Sequence, residues 1–230
     1  MADRRAMSKR AVVLLSGGLD STTAAWLARA SDFELCALSF DYGQRHKKEL
    51  EAAARVARDI GALQHQIVRI NLSDWAASSL TGNGEIPTEP SEERIPSTWV
   101  PARNHIFLAV ASGYAEVVGA SAIYIGVSQV DYSGYPDCRG EFLDAFQRAA
   151  DLASKRFVEE GVSIPVLAPF LHLPKSGVVR LGLALGVDYA QTWSCYQGGD
   201  VPCQVCDSCR LRAAAFNQIG QADPLLARPT

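Results

Sequence analysis

Three groups of residues in this chain have the types and spacing to do chemistry. The first is Ser16-Gly17-Gly18-Leu19-Asp20-Ser21-Thr22, which follows an apolar run and precedes a stretch of helical character. Adjacent glycines let the backbone turn tightly and bring its N–H groups against an anion without interference from Cβ atoms. Ser21 and Thr22 then open the helix, where unpaired N–H groups and the positive dipole end favour a phosphate. The candidate ATP-binding set is therefore Leu15, Ser16, Gly17, Gly18, Leu19, Asp20, Ser21, Thr22 and Thr23. Asp20 can also hold a Mg²⁺ that offsets the charge of a polyphosphate. The lysine-bearing Gly-x4-Gly-Lys loop is absent, as is the spaced glycine triplet of dinucleotide binders. A plainer reading, a Gly-Gly turn with Ser21 or Thr22 as an ordinary helix cap, accounts for the glycines but leaves Ser16 and Asp20 without a purpose.

The second group is Cys195, Cys203, Cys206 and Cys209, four of the six cysteines in the chain. Four thiolates complete a tetrahedral shell and leave no position for water, so one structural Zn²⁺ is expected, clamping the tail onto the body. Iron–sulfur ligation also uses four thiolates, and a redox Cys-x-x-Cys pair is a further alternative. Cys36, in an apolar run, and Cys138, in a polar loop, read as packing residues. The third group is the loop 126–139, where Asp131, Tyr132, Tyr135, Asp137 and Arg139 surround a glycine bend. Tyrosines can stack a flat ring, and carboxylates accept hydrogen bonds from a guanine-like edge. The same residues would also serve as a tyrosine-rich turn with capping aspartates.

Positioning these groups requires a scaffold, and the hydrophobic pattern supplies one. Short apolar runs at 11–15, 34–40, 65–70, 122–127 and 164–167 alternate with helical stretches, the signature of βα units around a parallel sheet. The near-continuous apolar character predicts strands covered on both faces. Three helical faces are expected: Leu50, Ala53, Ala54, Ala57 and Ile60; then Ile106, Val110, Tyr114, Val117 and Val118; then Phe142, Phe146, Ala149, Ala153 and Phe157. A short tail helix is expected at 210–219. The fold class is thus α/β: an open, mostly parallel Rossmann-like sheet with helices on both faces, at 1–190, and a small cysteine-bearing segment at 191–230. In such a sheet the loops after the strands line the ligand crevice, and the chemistry-bearing residues fall there. The segment 71–101, rich in Gly, Pro, Ser and Glu, is either a flap over the site or a surface excursion.

A chain with 48% hydrophobic and 20% charged residues and a net charge of −3 is an ordinary water-soluble globular protein. Its weak acidity argues against a stable nucleic-acid partner and favours a small-molecule substrate. No apolar stretch has the length to span a bilayer and the run at 11–15 ends at once in glycines, so no membrane partner and a cytoplasmic location are expected. The basic head, residues 1–10, reads as a frayed terminus, or as an upstream start with Met7 as the alternative.

The phosphate-loop residues resemble the PP-loop of the N-type ATP pyrophosphatases. The loop 126–139 together with Phe40-Asp41-Tyr42-Gly43-Gln44-Arg45-His46, Val100-Pro101-Ala102-Arg103-Asn104 and Thr192-Trp193-Ser194-Cys195-Tyr196 closely resembles one family among them, the 7-cyano-7-deazaguanine synthases of queuosine biosynthesis. The likeness runs from about residue 10 to 216. Ala102, where a glycine is expected, and Ser176-Gly177, where an acidic residue is common, depart from it. The resemblance implies an enzyme that adenylates the carboxylate of 7-carboxy-7-deazaguanine with ATP and Mg²⁺, then uses ammonia to form an amide and a second ATP to reach the nitrile. On that reading Asp20, Lys175 and Arg103 are the candidate catalytic residues, although Lys175 would equally suit a solvated position at a helix start. Tyr42, Arg103, Asn104, Asp131, Tyr132, Tyr135 and Asp137 would hold the substrate, in a homodimer. His46 would serve as a general base for ammonia only if it were not simply structural. Two alternatives stay open at this point, a PP-loop enzyme that adenylates or thiolates tRNA and a non-enzymatic zinc module that binds RNA or protein.

Overall fold

The computed structural model describes residues 9–75, 77–89 and 95–227, with the side chains of Tyr132 and Ser133 excepted. Most of the head lies outside that range; its last two residues, Lys9 and Arg10, begin the first strand. Among the described residues five strands form one parallel sheet: β1 (Lys9–Leu14), β2 (Phe33–Asp41), β3 (Gln64–Arg69), β4 (Ala122–Tyr124) and β5 (Val166–Leu167). Their order is β3-β2-β1-β4-β5. The chain builds outward from β1 on one side and then returns to build outward on the other. The loops leaving β1 and β4 therefore part from one another, and a crevice opens between them.

Period-two alternation in β1 decides which helices cover which face. Val12 and Leu14 meet α3 (Arg103–Val118) and α5 (Gly140–Ala153) through Leu108, Ala111, Leu143 and Phe146. Ala11, Val13 and Leu15 meet α1 (Leu19–Ala30) and α2 (Lys48–Asp59) through Ala25, Ala28, Ala53 and Val56. A further cluster joins α1 to α7 (Lys175–Ala184) and α8 (Asp207–Gln218) around Phe170, Val178, Val179 and Phe216. The tail is locked by Arg212, 4% exposed, whose guanidinium donates to Asp223 at 2.7 and 2.9 Å, to the Tyr189 carbonyl at 2.9 Å and to the Thr192 hydroxyl at 2.6 Å. Removing one partner of such a buried pair typically costs about 3–5 kcal/mol. Among the described residues no helix is long and apolar enough to cross a membrane.

Three expectations about the elements need correction. Strand β3 is an edge strand, with Gln64, Gln66, Ile67 and Arg69 exposed, so it is not covered on both faces. On α3 the buried stripe is Asn104, Leu108, Ala111 and Ala115, while Val117 is 84% exposed. Small alanines let the helix axis approach the sheet, and the larger residues flank the contact. The third apolar face is split: Ser154 ends α5 and caps α6 (Lys155–Glu160) by accepting from the Phe157 N–H at 3.2 Å, and Ala149 and Ala153 are exposed. The described parts of 71–101 pack onto the body, burying Leu72, Leu80, Ile86 and Val100.

Candidate active site

At the switch point the chain from β1 enters the glycine loop, and α1 begins with Gly18 as its cap and no side chain closing it. The first-turn N–H groups of α1 are thus left for a ligand. The hydroxyls around them form a network: Ser16 and Ser21 share a hydrogen bond of 2.9 Å, the Gly18 N–H donates to Ser16 at 3.3 Å, and the Thr22 hydroxyl is buried with no partner. Gly17 has φ +82°, and a Cβ there would run into the Ala53 nitrogen and the Glu49 carbonyl of α2. Its carbonyl also accepts the Trp193 N–H at 2.9 Å, which ties the C-terminal segment to the loop. Gly17 therefore sets the path of the loop, and Gly18 leaves room beside it.

A cavity of about 230 Å³ opens between this loop and the segment that follows β4. Leu15, Ser16, Gly18, Asp20 and Ser21 line it, while Gly17, Leu19, Thr22 and Thr23 do not. Thr23 is fully buried, its hydroxyl donating to the Leu19 carbonyl at 2.8 Å and paired with the Tyr189 hydroxyl at 2.7 Å, so its role lies in joining α1 to the turn just ahead of the C-terminal segment. Lys175, at the start of α7, reaches the site through Asp20: its ammonium lies 2.6 Å from Asp20 Oδ2, both side chains being mostly covered. Burial pulls the Lys175 ammonium down, but the Asp20 and Asp131 carboxylates outweigh it and hold the lysine above its ordinary value. The other oxygen of Asp20, Oδ1, is buried without a hydrogen-bond partner. An orphaned carboxylate oxygen beside a phosphate-type loop fits a bound cation.

Opposite the loop, Arg103 opens α3. Its guanidinium lies 5.7 Å from the Tyr42 ring and donates to the Tyr42 hydroxyl at 3.5 Å. Phe107 stacks on Phe40 at 3.9 Å and makes the floor beneath them. Burial works against the charge on Arg103, but Tyr42, Cys138, Tyr135 and Asp137 around it hold the guanidinium charged. Tyr42, Arg103, Asn104, Asp131 and Tyr135 all line the cavity. Asp137 does not: its carboxylate accepts the Asn104 N–H at 2.8 Å and closes the N-terminus of α3. Asp131 Oδ2 accepts the Ser128 N–H at 3.0 Å and its hydroxyl at 2.8 Å, the capping box of the short α4 (Gln129–Gly134). Tyr135 is braced by Thr98 at 2.9 Å. The Tyr132 side chain lies outside the described residues. His46 lines the cavity next to Trp193; burial lowers its pKa, and its Nδ1 is buried without a hydrogen-bond partner.

Glu49 was not among the residues singled out from the sequence, yet it lines the cavity. Burial pushes its carboxyl up to about 7, against the pull of Arg103. In the sequence it sits in the charged run Lys47-Lys48-Glu49-Leu50-Glu51, which reads as a solvated helix start. Gln44, Arg45 and Tyr196 also line the cavity, and their presence inside the quoted resemblance segments was the available signal.

The four cysteine sulfurs of the C-terminal segment all lie within 4.8 Å of one another, with Cys203 and Cys209 at 4.0 Å. Four sulfurs each about 2.3 Å from a central zinc would stand about 3.8 Å apart, so the spacing suits a metal and not a disulfide. The Cys203 N–H donates to Cys195 Sγ at 3.3 Å and the Cys206 N–H to Cys203 Sγ at 3.4 Å, contacts that would support sulfurs bound to a metal. The cluster can hold a metal ion, and it packs on Ala52 of α2 together with Trp193. Cys36 and Cys138 are buried, 1% and 3% exposed, and burial raises both thiols, so neither is an exposed thiolate of the kind sulfur transfer uses.

An open parallel sheet with this glycine loop at its switch point, a lysine paired to the loop aspartate and a closed four-thiol cluster define an enzyme of the PP-loop ATP pyrophosphatase class. The family model described as queuosine biosynthesis protein QueC matches residues 10–220. The chain therefore belongs to that family. It is 55% identical over 218 residues to a 7-cyano-7-deazaguanine synthase of Pseudomonas syringae pv. tomato, covering 94% of this chain and 96% of the relative. It is 51% identical over 219 residues to the enzyme of the same name from Clostridium kluyveri, covering 94% and 97%. A solved NMN synthetase from Francisella tularensis shares the fold with a TM-score of 0.51 and 15% identity, over 94% of this chain and 79% of that one.

Proposed function

We propose that the protein is a 7-cyano-7-deazaguanine synthase, converting 7-carboxy-7-deazaguanine and ammonia to the nitrile with ATP. The observation that carries the reading is the meeting, in one cavity, of an uncapped helix N-terminus and a charged arginine on an aromatic floor. The N–H groups of α1 with Ser16 and Ser21 grip the departing pyrophosphate, while Arg103 and Tyr42 hold the flat base and its carboxylate. Lys175, kept charged by Asp20, faces the charge that develops on the phosphates. Asp20, whose Oδ1 has no hydrogen-bond partner among the described residues, would help to hold Mg²⁺, which would supply charge neutralisation of the polyphosphate. Catalysis here is mainly positioning: the substrate carboxylate and the α-phosphorus are brought together and water is kept from the adenylate. Asn104, Asp131 and Tyr135 complete the base pocket, and Asp137 acts by fixing the first turn of α3.

Zinc is the metal that the four cysteines would hold, as a clamp for residues 191–230 on 1–190. The reaction belongs to the cytoplasm, and a homodimer is the expected assembly. Incubation with ATP, Mg²⁺, ammonium and the 7-carboxy base should release AMP and pyrophosphate with the nitrile, read by chromatography and mass spectrometry. Release of ADP would remove the proposed bond cleavage. Asp20→Ala should lower AMP release by about a hundredfold or more; full turnover with Mg²⁺ still required would show the loop assignment to be wrong.

A further inference from the structure

Forming an amide from an acyl-adenylate leaves a proton on nitrogen that some group must accept. Three carboxylates line the cavity, Asp20, Glu49 and Asp131. Asp20 is bound to Lys175 at 2.6 Å, and Asp131 is held by Ser128 at 2.8 and 3.0 Å. The Glu49 carboxyl has no hydrogen bond among the described residues; what faces it is the charge of Arg103 from α3 and Cys195 from the C-terminal segment, with Tyr42 and His46 nearby on the cavity wall. Its backbone carbonyl lies against Gly17 of the phosphate loop, so the turn of α2 that carries the carboxyl is set beside that loop. A carboxyl uncommitted to the protein, set beside the loop where the adenylate forms, is a proton acceptor without a partner.

Resting on the proposed function, we infer that Glu49 is the catalytic base of the nitrogen-transfer step. The lone pair of ammonia forms a C–N bond to the carbonyl carbon of the adenylate. The C–O bond to AMP breaks, its electron pair leaving on the phosphate oxygen. One N–H proton passes to a Glu49 carboxylate oxygen, and the products are the amide, AMP and protonated Glu49. The burial that brings this carboxyl near neutrality makes it a base that both accepts and returns a proton at cellular pH.

Two assays on wild type, Glu49→Gln and Glu49→Asp separate this role from others. Exchange of labelled pyrophosphate into ATP, dependent on the 7-carboxy base and run without ammonium, reports adenylation alone. Formation of the amide and nitrile at varied ammonium reports the nitrogen step. Glu49→Gln should keep exchange within about threefold of wild type and lose about a hundredfold in kcat/KM for ammonium. Glu49→Asp, which keeps the carboxylate one methylene further back, should lose less, about tenfold, and it remains the test if the glutamine variant does not fold. Equal losses in exchange and in nitrogen transfer would place Glu49 in base or nucleotide binding and overturn the inference, as would an unchanged ammonium dependence. Absence of base-dependent exchange in the wild type would instead defeat the proposed function itself.

Discussion

Ala102 tests whether the N-terminus of α3 is held under backbone strain. It caps the helix with φ 54° and ψ 21°, the left-handed region, and its side chain is exposed. An L-residue there loses roughly 1–2 kcal/mol to the approach of its Cβ to the carbonyl. Replacing it with glycine removes that cost, but it also gives the unfolded chain more freedom, worth about 0.4–1 kcal/mol in the opposite direction. The methyl group is in solvent, so no packing is lost. Ala102→Gly should therefore stabilise the protein by about 0.5–1 kcal/mol, which for a chain of this size raises Tm by about 1–4 °C. Ala102→Val, β-branched at the same φ, should lower it. Thermal and urea unfolding of the metal-loaded protein at one pH read both shifts. A glycine variant less stable than wild type would refute the strain, and with it the explanation for why glycine is expected at a position next to Arg103.

Two further outcomes follow from the site. Cys206→Ser should release the bound metal, measured by elemental analysis, and lower Tm, because the cluster joins α2, Trp193 and α8; a variant that kept one metal per chain and wild-type stability would exclude a structural site. Glu49, raised from 4.5 to about 7 in the folded protein, binds more protons folded than unfolded across that window. Its contribution to stability is therefore present below pH 4.5 and is lost as the pH climbs through 7. Unfolding of Glu49→Gln should match wild type near pH 4.5 and exceed it at pH 8, and equal stabilities at both would mean that the carboxyl is not buried at cost.

The sheet and its loop were legible because their cause is local. Glycines between an apolar run and a helix have few other uses, and β1 runs apolar over its whole buried length. What escaped was set by neighbours. The buried stripe of α3 depends on how close the sheet stands, which favours Ala111 and Ala115 over Val117, and nothing in a hydrophobic count ranks alanine above valine. β3 looks like a buried strand until its place at the sheet edge is known.

The carboxylates show the same limit in the chemistry of the site. Asp131 and Asp137 share a loop with tyrosines, but only Asp131 lines the cavity, and the same carboxylates also close α4 and α3. Ser128-x-x-Asp131 carried the capping pattern in plain view. Glu49, in a charged run, carried no signal, since its value comes from α2 pressing against Gly17 and turning a surface residue toward the cavity. A carboxylate that caps a helix end keeps one oxygen for a ligand but is fixed in place by the other. The Glu49 carboxyl has no such bond among the described residues, and the packing of α2 against the phosphate loop is what sets it on the cavity wall.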